Sequence, residues 1–160
     1  MNPCIRLLLA EDDEYDAQLF RSAINMSSSE DAILVVQDGK DTLDYLYREG
    51  CFATMPLSQP AVVVLDLKMP RIDGFEVLER AKSDPVLRVI PFVVLTSSRE
   101  PRDLIRAYEL GANAYVVKAM DFTTYTESVR MLKRFWLEVN EAPLACSKSM
   151  SDEASAAKRE

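Results

Sequence analysis

Glu11, Asp12 and Asp13 stand together near the start of the chain, and Asp66, Thr96 with Ser97, and Lys118 follow at wide intervals. Carboxylates brought together from distant parts of a chain repel one another unless a cation sits between them. A few oxygen ligands, with no sulfur or ring nitrogen, suit a hard ion such as Mg2+ that keeps several of its waters. A lysine adds a mobile positive charge for a carboxylate or phosphoryl oxygen. A threonine hydroxyl can donate to the same oxygen. Together these parts suit phosphoryl transfer to a carboxylate, where positioning and charge neutralisation carry the reaction. They do not suit cleavage of a peptide, ester or glycoside: the sequence identifies no activated Ser or Cys and no carboxylic acid held in an apolar pocket.

These residues meet only if the fold brings them together, and the apolar patterning says how. Five short runs, residues 5–10, 32–36, 61–65, 92–95 and 114–117, are rich in Val, Ile and Leu and continuous rather than alternating. Such runs indicate strands buried on both faces, as in a parallel sheet. Helical spacing lies between them: Ala17, Phe20 and Ile24; Leu43, Leu46 and Tyr47; Phe75, Leu78 and Ala81; Leu104 and Tyr108, with Pro101 suited to a first helical turn. The alternation predicts a doubly wound α/β domain with right-handed crossovers. Four of the five runs end in the residues above, and the carboxyl ends of parallel strands share one edge where ligands bind. For any one of them a simple cap is an adequate explanation, as for Asp13 before the first helix. Gly39, Gly74 and Gly111 fall at helix boundaries, and residues 50–60 read as a surface loop.

Composition narrows the remaining choices. There is no histidine among 160 residues, so no Ser-His-Asp or Cys-His relay and no histidine-ligated zinc or haem can be built. The net charge of −7 argues against nucleic-acid binding. Cys4, Cys51 and Cys146 are scattered and read as reduced thiols. With no signal-like N-terminus and no apolar run near the length of a membrane span, the expected location is cytoplasmic.

The segments LLLAEDDE, VVVLDLKMPRIDGFEVL, PFVVLTSS and GANAYVVKA closely resemble the receiver domain of CheY-like response regulators in two-component signalling. The resemblance extends over residues 4–139. It implies a flavodoxin-like (βα)5 sandwich around a five-stranded parallel sheet, with the receiver at 4–140; residues 141–160, rich in Ala and Ser with mixed charges and no apolar periodicity, are expected to form a disordered tail. The resemblance implies Asp66 as phosphoacceptor, Asp12 as a direct Mg2+ ligand, Glu11 acting through a water, and the Lys68 backbone carbonyl completing the set. Thr96 and Lys118 would hold the phosphoryl oxygens, and Tyr115 would be an aromatic switch that turns inward as Thr96 moves. The implied partner is a sensor histidine kinase. Two positions depart from the commoner pattern. Ala119 stands where the family usually has proline after the lysine, often after a cis bond, and Lys68 places a second cation two residues beyond the acceptor.

Phe122, Tyr125, Val129, Leu132, Trp136 and Val139 form one apolar stripe, and Met131 and Phe135 widen it beyond the roughly 100° of a single packed face. The width predicts a second buried surface, most simply a homodimer through Val129, Met131, Leu132, Phe135 and Trp136. The segment FWLEVNEAP also resembles the end of single-domain receivers that partner phytochrome-type histidine kinases.

Competing classes fit less well. A haloacid-dehalogenase-type phosphatase carries a second Asp where this chain has Lys68. A flavin or nucleotide carrier needs a Gly- or hydroxyl-rich first loop, and Glu11-Asp12-Asp13-Glu14 would repel phosphate. A receiver-shaped interaction module that works without phosphate is the remaining alternative.

Overall fold

The continuous apolar runs become strands covered on both sides. The computed structural model describes residues 5–24, 32–55 and 58–143. In chain order the elements are β1 (Ile5–Ala10), α1 (Glu14–Ile24), β2 (Ala32–Val36), α2 (Gly39–Tyr47), β3 (Val62–Leu65), α3 (Gly74–Ser83), β4 (Phe92–Thr96), α4 (Pro101–Glu109), β5 (Ala114–Val117) and α5 (Phe122–Lys133). The five strands form one parallel sheet in the order β2-β1-β3-β4-β5. This is the flavodoxin-like arrangement, and the order reverses between β1 and β3, the place in such sheets where ligands usually bind at the strand ends.

Side chains alternate across the sheet, so each strand supplies two cores. Leu8, Ala10, Val63, Leu65, Phe92 and Val94 pack with Leu43, Leu46, Phe75, Leu78 and Ala81 on one side. Leu7, Leu9, Val62, Val64, Val93 and Leu95 pack with Ala17, Phe20 and Ile24 of α1 and with Tyr125, Val129 and Leu132 of α5 on the other. Burial of each large apolar side chain is worth about 1.5–3 kcal/mol, enough for these layers to hold the strand ends in register.

Four details differ from the sequence expectation. In α2 the core aromatic is Tyr45, not Tyr47; Tyr45 stacks edge-on against Phe52, and Tyr47 is exposed. Phe52 sits in a short 3-10 turn, Gly50–Phe52, and is buried, so the start of the segment expected as a surface loop is anchored in the core. In α4 the spaced residues Leu104 and Tyr108 face outward with Ile105, and Ala107 is the buried contact. Its small side chain lets the helix backbone lie close to the sheet, which leaves the bulkier residues outside.

The fourth difference lies after α5. Residues Arg134–Val139 continue as a π-helix, in which the Asn140 amide donates to the Phe135 carbonyl at 2.7 Å. The wider turn moves the buried position from four residues ahead to five, so Leu132 is followed into the core by Leu137. Trp136 is half-buried at the edge of the same core, and Val139 is exposed. The chain has no cis peptide among the described residues, so the Lys118–Ala119 bond is trans. Of the segment expected to be a disordered tail, residues 144–160 lie outside the described residues. No helix among the described residues is long and apolar enough to cross a membrane.

Candidate functional site

Backbone hydrogen bonds carry the sheet ladder one residue past the strand ends and fix the chemistry-bearing residues. The Glu11 amide donates to the Val36 carbonyl at 3.0 Å, Asp66 to Ala10 at 3.1 Å, and Lys118 to Thr96 at 2.8 Å. Gly74, the first residue of α3, closes the acceptor loop from below: its amide donates to the Leu67 carbonyl at 2.9 Å. A Cβ there would lie 2.3 Å from the Asp66 carbonyl oxygen and 2.8 Å from Leu67 Cα, so only glycine allows this approach. Asp13 does cap α1, accepting from the Asp16 amide at 2.9 Å.

Glu11, Asp12 and Asp66 each offer a carboxylate oxygen, and these oxygens lie within 4.8 Å of one another. Glu11 and Asp66 are buried and Asp12 is exposed. Lys118 reaches into the cluster from the end of β5. Its Nζ lies 2.6 Å from Glu11 Oε2, 2.9 Å from Asp16 Oδ2 and 3.2 Å from Asp66 Oδ2. Burial raises the Glu11 carboxyl to about 7, against the lowering effect of Lys118. For Lys118, burial opposes the charge, but the attraction of Glu11, Asp66 and Asp16 outweighs it and holds the ammonium above the ordinary lysine range. The donor set is all oxygen, small and partly open to solvent, which fits a hard divalent cation of the Mg2+ type.

Thr96 is buried, and its Oγ1 accepts a hydrogen bond from the Ser98 amide at 3.3 Å. Ser98 connects it to the outer surface: its carbonyl accepts from the Tyr115 hydroxyl at 3.1 Å, and its own hydroxyl donates to Asp103 Oδ2 of α4 at 2.6 Å. The Lys68 amide leans on Asp66 Oδ1 at 3.4 Å, and its residue is exposed.

Sequence reasoning overlooked two residues here. Asp16 lies on the first turn of α1, where an acid is usually explained by the helix dipole. A position three residues beyond Asp13, on the face that turns toward the strand ends, was the available signal. Ser98 had none beyond following Thr96-Ser97. The structure also divides the residues expected at an interface. Val129 and Leu132 are buried within the chain's own core, while Met131 is 65% and Phe135 49% exposed. The first two are therefore corrected to core residues: they face the sheet, whereas Met131 and Phe135 point away from it.

A parallel doubly wound sheet with acids and a lysine gathered at its carboxyl edge defines a class of signalling and ligand-binding domains. Residues 7–130 match the family model for the response regulator receiver domain, and the chain belongs to that family. It is 34% identical over 144 residues to Response regulator Rcp1 of Synechocystis sp., spanning 90% of this chain and 97% of that protein. The Mn2+-bound crystal structure of Rcp1 superposes with a TM-score of 0.80 at 33% identity, covering 87% of this chain and 99% of that one. The phosphorylated cyanobacterial phytochrome response regulator RcpA gives a TM-score of 0.81 at 34% identity, covering 88% and 99%. The bacteriophytochrome response regulator RtBRR is 44% identical with a TM-score of 0.69, covering 88% and 84%. Receiver domains take phosphate from histidine kinases and bind Mg2+ at an acidic pocket, and this chain carries such a pocket at Glu11, Asp12 and Asp66.

Proposed function

We propose that Asp66 accepts a phosphoryl group from the phosphohistidine of a sensor kinase in a Mg2+-dependent reaction. The Asp66 carboxylate forms the new P–O bond, and the P–N bond to the kinase histidine breaks, leaving the ring nitrogen free to take up a proton. Glu11, Asp12, Asp66 and the Lys68 carbonyl would hold the cation, which supplies charge neutralisation as the phosphoryl group arrives. Lys118 and Thr96 would hold phosphoryl oxygens. The observation that carries this reading is the meeting of three carboxylates within 4.8 Å beside the Lys118 ammonium.

The signal would leave through Thr96, Ser98 and Tyr115, because the added −1.5 to −2 charge (approximately) falls where Thr96 ends β4. A phytochrome photoreceptor is the proposed kinase, supported by the named relatives RcpA and RtBRR. The cytoplasm is the proposed location. A homodimer is proposed through the outward side of α5 and its π-helical extension, where Met131 and Phe135 are exposed. The test is incubation with a phosphorylated bacteriophytochrome-type kinase and Mg2+. Transfer of label to this chain supports the reading, and a kinase that labels its own cognate receiver but not this chain counts against it. An unphosphorylatable Asp66→Asn chain that signals to its partner like wild type would favour the phosphate-independent module instead.

A further inference from the structure

Asp16 is the third acceptor of the Lys118 ammonium, at 2.9 Å, while the same ammonium also sits on two of the cation-binding carboxylates, Glu11 at 2.6 Å and Asp66 at 3.2 Å. We infer that Asp16 keeps Glu11 and Asp66 available to Mg2+; the inference rests on the acceptor reading above.

An ammonium has three donors, and Lys118 meets three acceptors, Glu11, Asp16 and Asp66. Two of these belong to the carboxylate trio and the third does not. A divalent cation and the ammonium therefore compete for the carboxylates of Glu11 and Asp66. Lys118 is 10% exposed, so an ammonium that loses those partners cannot simply move into water, and a buried charge without a partner is strongly unfavourable. Asp16 resolves the conflict. Its side chain is 34% exposed, and its carboxylate lies 2.9 Å from Nζ and stands outside the trio, so the ammonium keeps a charged partner when the other two turn to a cation. A first-turn acid needs no partner to be explained by the helix dipole. A contact to a lysine 102 positions away in the sequence is a separate fact that the dipole does not account for. The Asp16 amide, not its side chain, joins the Asp13 cap, so a side-chain change leaves the start of α1 intact.

The test is isothermal titration of Mg2+ into wild type, Asp16→Asn, Asp16→Glu, Lys118→Met and the Asp16→Asn/Lys118→Met double variant at one pH and ionic strength. Asp16→Asn should weaken Mg2+ binding about three- to tenfold, the scale of coupling between contacting charged groups. Asp16→Glu should restore most of it. In the Lys118→Met background the same Asp16→Asn change should matter less than about twofold, because its effect passes through the lysine. Unchanged affinity in Asp16→Asn overturns the inference. So does an equal loss with and without Lys118, which would mark a plain through-space charge effect. Wild type that binds no Mg2+ would instead refute the acceptor reading, and this inference with it.

Discussion

The Tyr115 hydroxyl donates to the Ser98 carbonyl at 3.1 Å, and the Ser98 amide donates to the Thr96 hydroxyl at 3.3 Å. Ser98 is thus a joint between the end of β4, beside the acceptor, and the half-buried aromatic on β5. Tyr115→Phe removes one hydrogen bond without opening a cavity, so a loss of about 1 kcal/mol is expected in urea unfolding. Amide exchange at residues 97–100 should accelerate in that variant. Unaltered protection there would mean that the tyrosine does not hold the loop.

The Glu11 carboxyl, raised to about 7 by burial, gives the apo protein a defined pH dependence. Between its ordinary value near 4.5 and about 7 the folded state binds more protons than the unfolded one. This contribution to stability is fully present below the ordinary value and is lost as pH rises through about 7. Denaturant titrations of the metal-free chain should show that decline, and Glu11→Gln should flatten it. Mg2+ affinity should run the other way, falling up to about tenfold per pH unit below 7 as the cation competes with the proton.

Gly74→Ala places a methyl group 2.3 Å from the Asp66 carbonyl oxygen. The obstacle is backbone, which cannot swing aside like a side chain. The expected cost is about 1–3 kcal/mol in equilibrium unfolding, with a drop in Mg2+ affinity as the acceptor loop shifts. A variant as stable as wild type would show that the α3 entry relaxes at no cost.

Phe135→Lys should convert a dimer to a monomer in sedimentation velocity while leaving the far-ultraviolet spectrum unchanged. Phe135 is 49% exposed and edge-on to Trp136 with ring centroids 4.9 Å apart, so it offers apolar surface that the other described residues leave uncovered. A wild-type monomer at all accessible concentrations would contradict the proposed dimer.

The parts of the fold governed by local patterning were readable from the residues, and those governed by geometry between elements were not. The runs 5–10, 32–36 and 114–117 coincide with β1, β2 and β5, and 61–65 and 92–95 differ from β3 and β4 by one residue, because short apolar runs bounded by polar or turn residues mark strand ends locally. The gathering of Glu11, Asp66, Thr96 and Lys118 at one edge follows from parallel strands alone. Tyr45 and Tyr47 are two residues apart on a short helix, and which one enters the core depends on where Phe52 folds back. Leu137, not Trp136, follows Leu132 into the core, because the ordinary 3.6-residue period does not hold where the helix widens to a π-helix. The spacing of Asp16 from Asp13 marks the face it lies on, but its lysine partner stands 102 residues further along at another strand end, and that pairing follows only from the fold.

The central claim is that Asp66 is the residue that takes the phosphoryl group. Its most direct test is to treat the chain with acetyl phosphate and Mg2+, trap the acyl phosphate by borohydride reduction, and locate the modified residue by peptide mass spectrometry. Homoserine is expected at position 66 alone, dependent on Mg2+ and absent from Asp66→Asn. Modification at Asp12 or Asp13 in the wild type, or an acid-stable, base-labile adduct persisting in Asp66→Asn, would contradict it.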